Sequence, residues 1–178
     1  MTITIEESGL TFGPFARDDC FELEKSEAYL RINRRSKSST GIKVCEFALI
    51  HRAENRAPAI WLVEAKSSSP RPDNPEKLAD FISDIQHKLS NALQLLVASY
   101  LDRHPEAATE LPAGFRALSL REEWRLVLVI NGHQEAWLPP LQDALQGALH
   151  TLTRTFELGP RSVVVINETA ARRYGLTT

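Results

Sequence analysis

Two glutamates and a lysine interrupt apolar stretches near the middle of the chain. Glu64 and Lys66 lie in the segment 59–67, and Glu46 lies in the segment 42–51. Alternation along a strand puts Glu64 and Lys66 on one face, and Glu46 can share that face from a neighbouring strand. Buried carboxylates repel each other and cost on the order of several kcal/mol unless a cation compensates them. Oxygen ligands of this kind suit Mg²⁺ or Mn²⁺, and such an ion beside a lysine promotes attack of water on a phosphodiester.

A simpler arrangement of the same residues needs no catalysis. Lys66 could form an ion pair with Glu64 or Glu46 on the solvent face of a half-exposed hairpin. For an isolated Glu-x-Lys in a strand, this would be the usual explanation. The context favours a buried site instead, because the segment before Glu64 is apolar on both faces and a Ser/Pro-rich loop follows Lys66.

Hydrophobic spacing predicts the elements that position these residues. Residues 42–51 and 59–67 indicate two strands of a hairpin. Asn74 and Pro75 are typical of the cap and first position of a helix, and apolar residues at helical spacing extend it to about residue 105. Continuous apolar runs at 125–131 and 161–167 predict strands buried on both faces. Further helices are expected at 139–156 and 168–174.

The remaining segments are less regular. Short β-like pieces at 3–5 and 10–12 are broken by Gly13 and Pro14. Residues 20–32 fit either a helix or a strand, although 28–32 alternates as a strand does. The polar stretch 34–41 indicates a loop, and 105–123 is expected to be loosely structured.

The order of these elements predicts the fold class. Strands, helix, strand, helix and strand indicate an α/β fold with a mixed central sheet flanked by helices. The sheet would hold a three-strand antiparallel meander plus two further strands. The chain of 178 residues suits one domain, 1–178, with a core of about 28–167.

Composition excludes several classes of protein. The net charge of −2 excludes a protein that coats long duplex DNA by electrostatics alone, so any nucleic-acid contact needs a local basic patch. Cys20 and Cys45 have no metal-ligand spacing and indicate two reduced thiols. No glycine-rich phosphate loop and no membrane-spanning apolar run is present. We expect a cytoplasmic protein without membrane contact.

The hairpin, the loop and the long helix together resemble the PD-(D/E)XK nuclease superfamily, whose fold is restriction-endonuclease-like. The resemblance covers about residues 28–131. It implies that Glu64, Ala65 and Lys66 form the (D/E)xK element, and that Glu46 takes the place of the acid on the second strand. Glu46, Glu64 and the backbone carbonyl of Ala65 would then bind the metal, and Lys66 would be the catalytic lysine. No Pro-Asp dipeptide precedes the hairpin, which is a departure from the pattern.

The resemblance also implies an acid in the N-terminal element and a polar residue on the helix after the third strand. Glu24 is the candidate for the first position, with Glu22 and Glu27 as alternatives, and a solvated charged segment is an equal explanation. Gln86 is the candidate for the second position, at the edge of the apolar stripe of the helix. A plain boundary glutamine is the simpler explanation.

A basic segment before the hairpin is the best candidate for contact with a nucleic-acid backbone. Its cationic residues are Arg31, Arg34, Arg35 and Lys37. A loop that is basic because it is solvated is the alternative.

The resemblance implies a Mg²⁺- or Mn²⁺-dependent nuclease that hydrolyses phosphodiester bonds in DNA or RNA. In a chain of this size, specificity would come from a homodimer or a partner protein, as in small nucleases of restriction and phage-defence systems. The alternative function is a catalytically inactive nuclease-like module that serves as a protein-interaction or nucleic-acid-binding subunit of a larger assembly.

Overall fold

The computed structural model describes residues 1–35, 41–71, 73–105 and 109–178. In these ranges the strands are β1 (Thr2–Glu7), β2 (Leu10–Ala16), β3 (Cys20–Glu22), β4 (Phe47–His51), β5 (Ala59–Lys66), β6 (Glu123–Ile130) and β7 (Val163–Asn167). The α-helices are α1 (Glu27–Arg35), α2 (Pro75–Tyr100), α3 (Ala113–Ala117), α4 (Leu138–Ala148), α5 (His150–Thr155) and α6 (Glu168–Arg173). The protein is therefore an α/β protein.

The central sheet has five strands in the order β3-β4-β5-β6-β7. The strands β3, β4 and β5 are antiparallel neighbours, whereas β5, β6 and β7 run parallel. Parallel neighbours need long crossover connections, and helices α2 to α5 lie in these connections. The prediction of a mixed sheet with a three-strand meander and two further strands is confirmed.

Each face of the central sheet is covered by a different layer. One face, with Ile60 and Leu62 at its centre, packs against α1, α2 and α4. The opposite face, with Trp61 and Val63, packs against the β1–β2 hairpin and α6. Because β5 lies in the middle of the sheet, its side chains are buried on both faces, and Lys66 alone in this strand is partly exposed.

The N-terminal hairpin is tied to the C-terminus. Ser8 and Gly9 form its two-residue loop with φ of 51° and 76°, the left-handed backbone that such tight hairpin loops need. The amide of Gly13 donates to the carbonyl of Leu176. The expected break at Gly13 and Pro14 is wrong, because β2 continues through both residues.

The long helix was predicted from its cap and its apolar spacing, and both are present. The side chain of Asn74 accepts a hydrogen bond from the amide of Lys77, and Pro75 occupies the first turn. The buried residues Ile85 and Leu89 face the sheet. The helix ends at Tyr100, a few residues before the expected end near 105.

The strand expected at 28–32 is a helix. Ser26 caps α1, because its hydroxyl accepts a hydrogen bond from the amide of Tyr29 at 3.2 Å. Ala28 is buried, and Tyr29 and Ile32 pack on the same core, which is a helical spacing. The first strand of the meander is the shorter segment Cys20–Glu22.

The strand expected at 42–51 is only five residues long, Phe47–His51. Two carbonyls before it are bound by side chains instead of a neighbouring strand. Asn33 donates to the carbonyl of Ile42 at 3.2 Å, and Asn91 donates to that of Lys43 at 2.9 Å. Consecutive buried residues, Val44 and Cys45, follow.

Two other expectations differ in detail. The segment 105–123 contains α3, with Phe115 in the core, while 106–108 lie outside the described residues. The single helix expected at 139–156 is two helices, α4 and α5, which meet at Leu149. Among the described helices, none combines the length and the apolarity that a membrane crossing requires.

We expect Phe12→Ala to lower the free energy of unfolding by about 3–5 kcal/mol, because it removes a fully buried ring that packs edge-on to Phe47 at 5.3 Å. Urea unfolding followed by circular dichroism measures this change. Phe156→Ala is the control, since Phe156 is 42% exposed and its loss should change the value by about 0.5 kcal/mol or less. Equal effects of the two variants would contradict a hairpin that is packed into the core.

Candidate functional site

The β4–β5 register brings the two predicted carboxylates together. Phe47 pairs with Val63, and Ala48 pairs with Leu62. Carried one residue beyond β4, this register puts Glu46 beside Glu64, and the amide of Glu46 donates to the carbonyl of Val63 at 3.1 Å. Both carboxylates therefore lie at the carboxyl end of β5.

Helix α2 adds a lysine between the two carboxylates. The Nζ atom of Lys88 lies 2.8 Å from Glu64 Oε1 and 3.7 Å from Glu46 Oε1. Lys66 Nζ lies 2.8 Å from the same oxygen of Glu64 and 3.8 Å from Oδ2 of Asp84, which is one helical turn before Lys88. We refer to Glu46, Glu64, Lys66, Asp84 and Lys88 as the carboxylate–lysine cluster.

Glu64 is the buried centre of this cluster. Its side chain is 0% exposed, and its Oε2 is buried with no hydrogen-bond donor among the described residues. Burial raises the pKa of Glu64, although hydrogen bonds from Lys66 and Lys88 oppose this rise. A buried carboxylate oxygen without a partner costs about 1–3 kcal/mol or more, so Oε2 is a position where a cation would be stabilising.

Glu46 and Lys88 also have perturbed ionisation. Burial, and then the charge of Glu64, raise the pKa of Glu46 to about 7. Burial opposes the charge on Lys88, but the hydrogen bond and the charge of Glu64, together with Glu46, raise its pKa above the ordinary value. Lys88 therefore remains an ammonium ion between the two carboxylates.

Asp84 links the cluster to solvent. Burial raises its pKa, but the hydrogen bond from Lys43 at 3.0 Å and the charges of the nearby lysines outweigh burial, so that its pKa is lowered. Lys66 is 27% exposed and Asp84 is 34% exposed. A ligand would approach the buried Glu64 from the side of these two residues.

The backbone carbonyl of Ala65, predicted as a metal ligand, already accepts one hydrogen bond. Its donor is the hydroxyl of Ser8 at 3.1 Å, in the loop of the β1–β2 hairpin. The carboxylate of Glu7 accepts from the amide and hydroxyl of Ser8, and its charge contributes to the raised pKa of Glu46. A carbonyl oxygen has two lone pairs, so one remains for a cation.

The donor set fits Mg²⁺ or Mn²⁺ in a restricted sense. Within the described ranges, no three His, Cys, Asp or Glu side chains are grouped as metal ligands. Mg²⁺ needs only one or two carboxylates and keeps several waters. Glu46, Glu64 with its unpartnered Oε2, and the Ala65 carbonyl provide such a set.

The structure favours Glu24 over its alternatives in the N-terminal element. Glu24 lies in a 3-10 turn, Leu23–Lys25, and its charge raises the pKa of both Glu46 and Lys88. Glu22 instead forms an ion pair with Lys25. Glu27 forms one with Arg34 at 3.3 Å, away from the cluster.

Gln86 is not brought to the carboxylates. Its amide donates to the hydroxyl of Ser90 at 3.4 Å, one turn later in α2. Asp84 lies two residues before Gln86 and Lys88 two residues after it, and both belong to the cluster. Two residues in a helix correspond to a rotation of about 200°, so Gln86 lies on the opposite side of α2. The polar residue that reaches the sheet from α2 is therefore Lys88.

The described part of the predicted basic patch lies on a helix. Arg31 and Arg34 are in α1, where Arg34 is paired with Glu27. Arg35 ends α1, but its side chain and all of Lys37 lie outside the described residues.

Sequence reasoning missed Asp84 and Lys88. Asp84 and Lys88 are four residues apart in α2, and each directly precedes a buried residue, Ile85 or Leu89. They therefore lie at the boundary of the apolar stripe of this helix. Charged residues at such a boundary are usually solvated, so their spacing alone does not indicate a site. The available signal was that Glu64 needs a cation from the element that covers its face.

Both cysteines are buried and unpaired in the described ranges. Burial raises the pKa of Cys20 to about 12 and that of Cys45 well above its ordinary value. Neither forms the thiolate that nucleophilic catalysis needs.

The comparisons with known proteins were negative, since no family model, curated protein or solved structure matches this chain.

The raised pKa of Glu46 links the stability of the fold to pH. Between the ordinary glutamate pKa of 4.5 and the folded-state pKa of about 7, the folded protein holds a proton that the unfolded chain has lost. The free energy of unfolding therefore falls as pH rises through this window, and the loss is complete above pH 7. The raised pKa of Glu64 acts in the same direction.

We expect Glu46→Gln to weaken this pH dependence and to gain stability relative to wild type at about pH 8. Urea unfolding at several pH values, with a chelator present, measures both effects. Glu54→Gln, in an exposed turn, should keep the wild-type dependence. If the two variants gave the same pH profile, Glu46 would not be the linked group.

Proposed function

We propose that this chain is a metal-dependent nuclease of the PD-(D/E)XK superfamily that hydrolyses phosphodiester bonds in DNA or RNA. The observation that carries the proposal is the fully buried Glu64, whose Oε2 has no partner in the described residues while Glu46 lies beside it. A merely structural ion pair would satisfy both oxygens of such a carboxylate.

Each residue of the cluster has a role in this reaction. A Mg²⁺ or Mn²⁺ ion on Glu46, Glu64 and the Ala65 carbonyl would supply the Lewis acidity that makes water nucleophilic near neutral pH. Lys66, fixed by Glu64 and partly exposed, orients the attacking water or balances charge on the phosphate. Lys88 holds the two carboxylates in their mutual orientation.

The order of elements supports a restriction-endonuclease-like fold. Glu46 directly precedes β4, the second strand of the meander, and Glu64 and Lys66 end β5, the third. Helix α2 and the parallel strand β6 then follow, as the resemblance implies. One feature departs from the expected order, because α1 lies between the first and second strands of the meander.

We expect purified wild-type protein to cleave nucleic acid with Mg²⁺ or Mn²⁺, and Glu64→Gln and Lys66→Ala to lose about 100-fold or more of this activity. A panel of plasmid DNA, single-stranded DNA and RNA measures cleavage. Lys77→Ala, which removes an exposed lysine of α2 outside the cluster, should cleave like wild type. Absence of wild-type cleavage on every substrate, or equal cleavage by all variants, would refute the nuclease.

A second candidate is an inactive nuclease-like module of a larger assembly, and the position of Lys88 favours it. The Lys88 ammonium lies between the two carboxylates, where it compensates their charge as a metal ion would. In the cluster and its neighbour Lys43, three carboxylates (46, 64 and 84) face three lysines (43, 66 and 88), so the charges already balance.

A titration with Mn²⁺, measured by isothermal titration calorimetry, distinguishes the two candidate functions. If the chain is a nuclease, the wild-type protein should bind Mn²⁺, and Glu64→Gln should lose this binding. In the inactive module, we expect no binding by wild type and new binding by Lys88→Met, because this change removes the ammonium group between Glu46 and Glu64 and leaves Lys66 to compensate both carboxylates. Folding of Lys88→Met must be verified by circular dichroism, since loss of one buried partner destabilises by about 3–5 kcal/mol.

A further inference from the structure

A cavity lies at the other end of the central sheet from the carboxylate–lysine cluster. Its volume is about 700 Å³, within the usual range for small-ligand sites. It opens where the parallel strands β5, β6 and β7 begin, next to Ala59, Glu123 and Arg161. Lys66 is seven residues further along β5, or about 23 Å away at the rise of a strand.

Four arginines from three separate parts of the chain line this cavity. Arg56 follows β4, Arg121 precedes β6, Arg125 is within β6, and Arg161 precedes β7. In the described parts of the chain, the guanidinium groups of Arg56, Arg121 and Arg161 have neither an ion pair nor a hydrogen bond, whereas Arg125 binds Glu123 at 2.9 Å. Three of the guanidinium groups that line this cavity therefore have no anionic partner among the described residues.

The acidic residues of the cavity already have partners. Glu123 is bound by Arg125, and Glu122 accepts a hydrogen bond from the hydroxyl of Ser119 at 3.0 Å. Four arginines against two glutamates leave the lining with a formal charge of +2. The whole chain has a charge of −2, so this positive charge is a local feature of the cavity.

The aromatic wall of the cavity is built from rings in mutual contact. The rings of His51 and Trp61 are stacked at 4.2 Å, Tyr174 packs edge-on to Trp61 at 5.6 Å, and Arg125 lies over the indole at 5.3 Å. The Nε2–H of His51 donates to the backbone carbonyl of Tyr174 at 2.8 Å. The indole Nε1 of Trp61 is buried and has no hydrogen-bond acceptor among the described residues.

We propose that this cavity binds a phosphate monoester, the terminal phosphoryl group of a small molecule or of a nucleic-acid end. Guanidinium groups bind phosphate oxygens through paired N–H donors, and several arginines can share one phosphoryl group. A charge of +2 matches a phosphate monoester, which carries about −1.5 to −2 near neutral pH, better than a carboxylate with a single charge. The binding is independent of any cleavage at the carboxylate–lysine cluster.

Isothermal titration calorimetry with inorganic phosphate and with adenosine monophosphate tests the site. We expect both to bind wild type, and we expect the double variant Arg121→Ala/Arg161→Ala to weaken binding about tenfold or more. The double variant Arg121→Lys/Arg161→Lys keeps the charge but loses the paired donors. Its affinity for phosphate should therefore lie between that of wild type and that of the double alanine variant. Arg154→Ala, which removes an exposed arginine of α5, should bind like wild type.

A matched pair of oligonucleotides identifies the source of the phosphoryl group. Tighter binding of a 5′-phosphorylated strand than of its 5′-hydroxyl counterpart, abolished in the double alanine variant, supports a nucleic-acid end. Binding of phosphate and the mononucleotide without a preference between the strands supports a small molecule. The proposal is overturned if wild type binds neither phosphate nor the mononucleotide, or if the double alanine variant, shown to be folded by circular dichroism, binds both as wild type does.

Discussion

The charge of Glu64 is the constraint on which the arrangement of this protein depends. A carboxylate with no exposed surface on an apolar sheet face costs several kcal/mol unless cations lie against it. Lys66 supplies one cation from the same strand, and Lys88 supplies another from α2. Helix α2 must therefore cross the sheet with a charged turn at the carboxyl end of β5, while Ile85 and Leu89 keep the same helix in the core. The site and the core are built by one helix.

The two ends of the parallel strands have different electrostatic character. At the carboxyl end of β5, Glu46 and Glu64 are compensated by Lys66 and Lys88 within 4 Å. At the amino ends, by contrast, three arginines have no compensating carboxylate in the described residues. The small net charge of the chain conceals this separation, because it sums over both ends. Local charge, and not the net value, determines where an anion is attracted.

The parts of the fold that were predicted correctly are those that depend on local signals. The start of α2 was predictable because Asn74 and Pro75 are adjacent and define a cap by themselves. The start of β4 is different, because the carbonyls before it are bound by the side chains of Asn33 and Asn91, which lie outside the segment 42–51. No pattern within residues 42–51 carries that information.

The same distinction applies to the carboxylate–lysine cluster. Alternation in a strand was enough to place Glu64 and Lys66 on one face, and the β4–β5 register brought Glu46 beside them. Lys88 was not predictable from its own surroundings, since a lysine at the edge of an apolar stripe is normally solvated. Its position can be derived only when the rotation of α2 about its own axis, relative to the sheet, is known. Lys88 lies two residues after the expected Gln86, which is a rotation of about 200° about the helix axis.

The charge balance of the cluster links the binding of a metal ion to the binding of a phosphate. Without such an ion, the charges of Glu46, Glu64 and Asp84 (−3) and of Lys43, Lys66 and Lys88 (+3) sum to zero, and a phosphodiester gains little by approaching. A divalent cation changes this sum to +2. The cluster is open to solvent at Lys66 and Asp84, so this positive charge is accessible to a phosphate from that side. In a partly buried site such a charge acts with little screening. Lys88 therefore sets the balance: the more strongly it compensates Glu46 and Glu64, the less an ion gains by binding, and the weaker the attraction for a phosphate becomes.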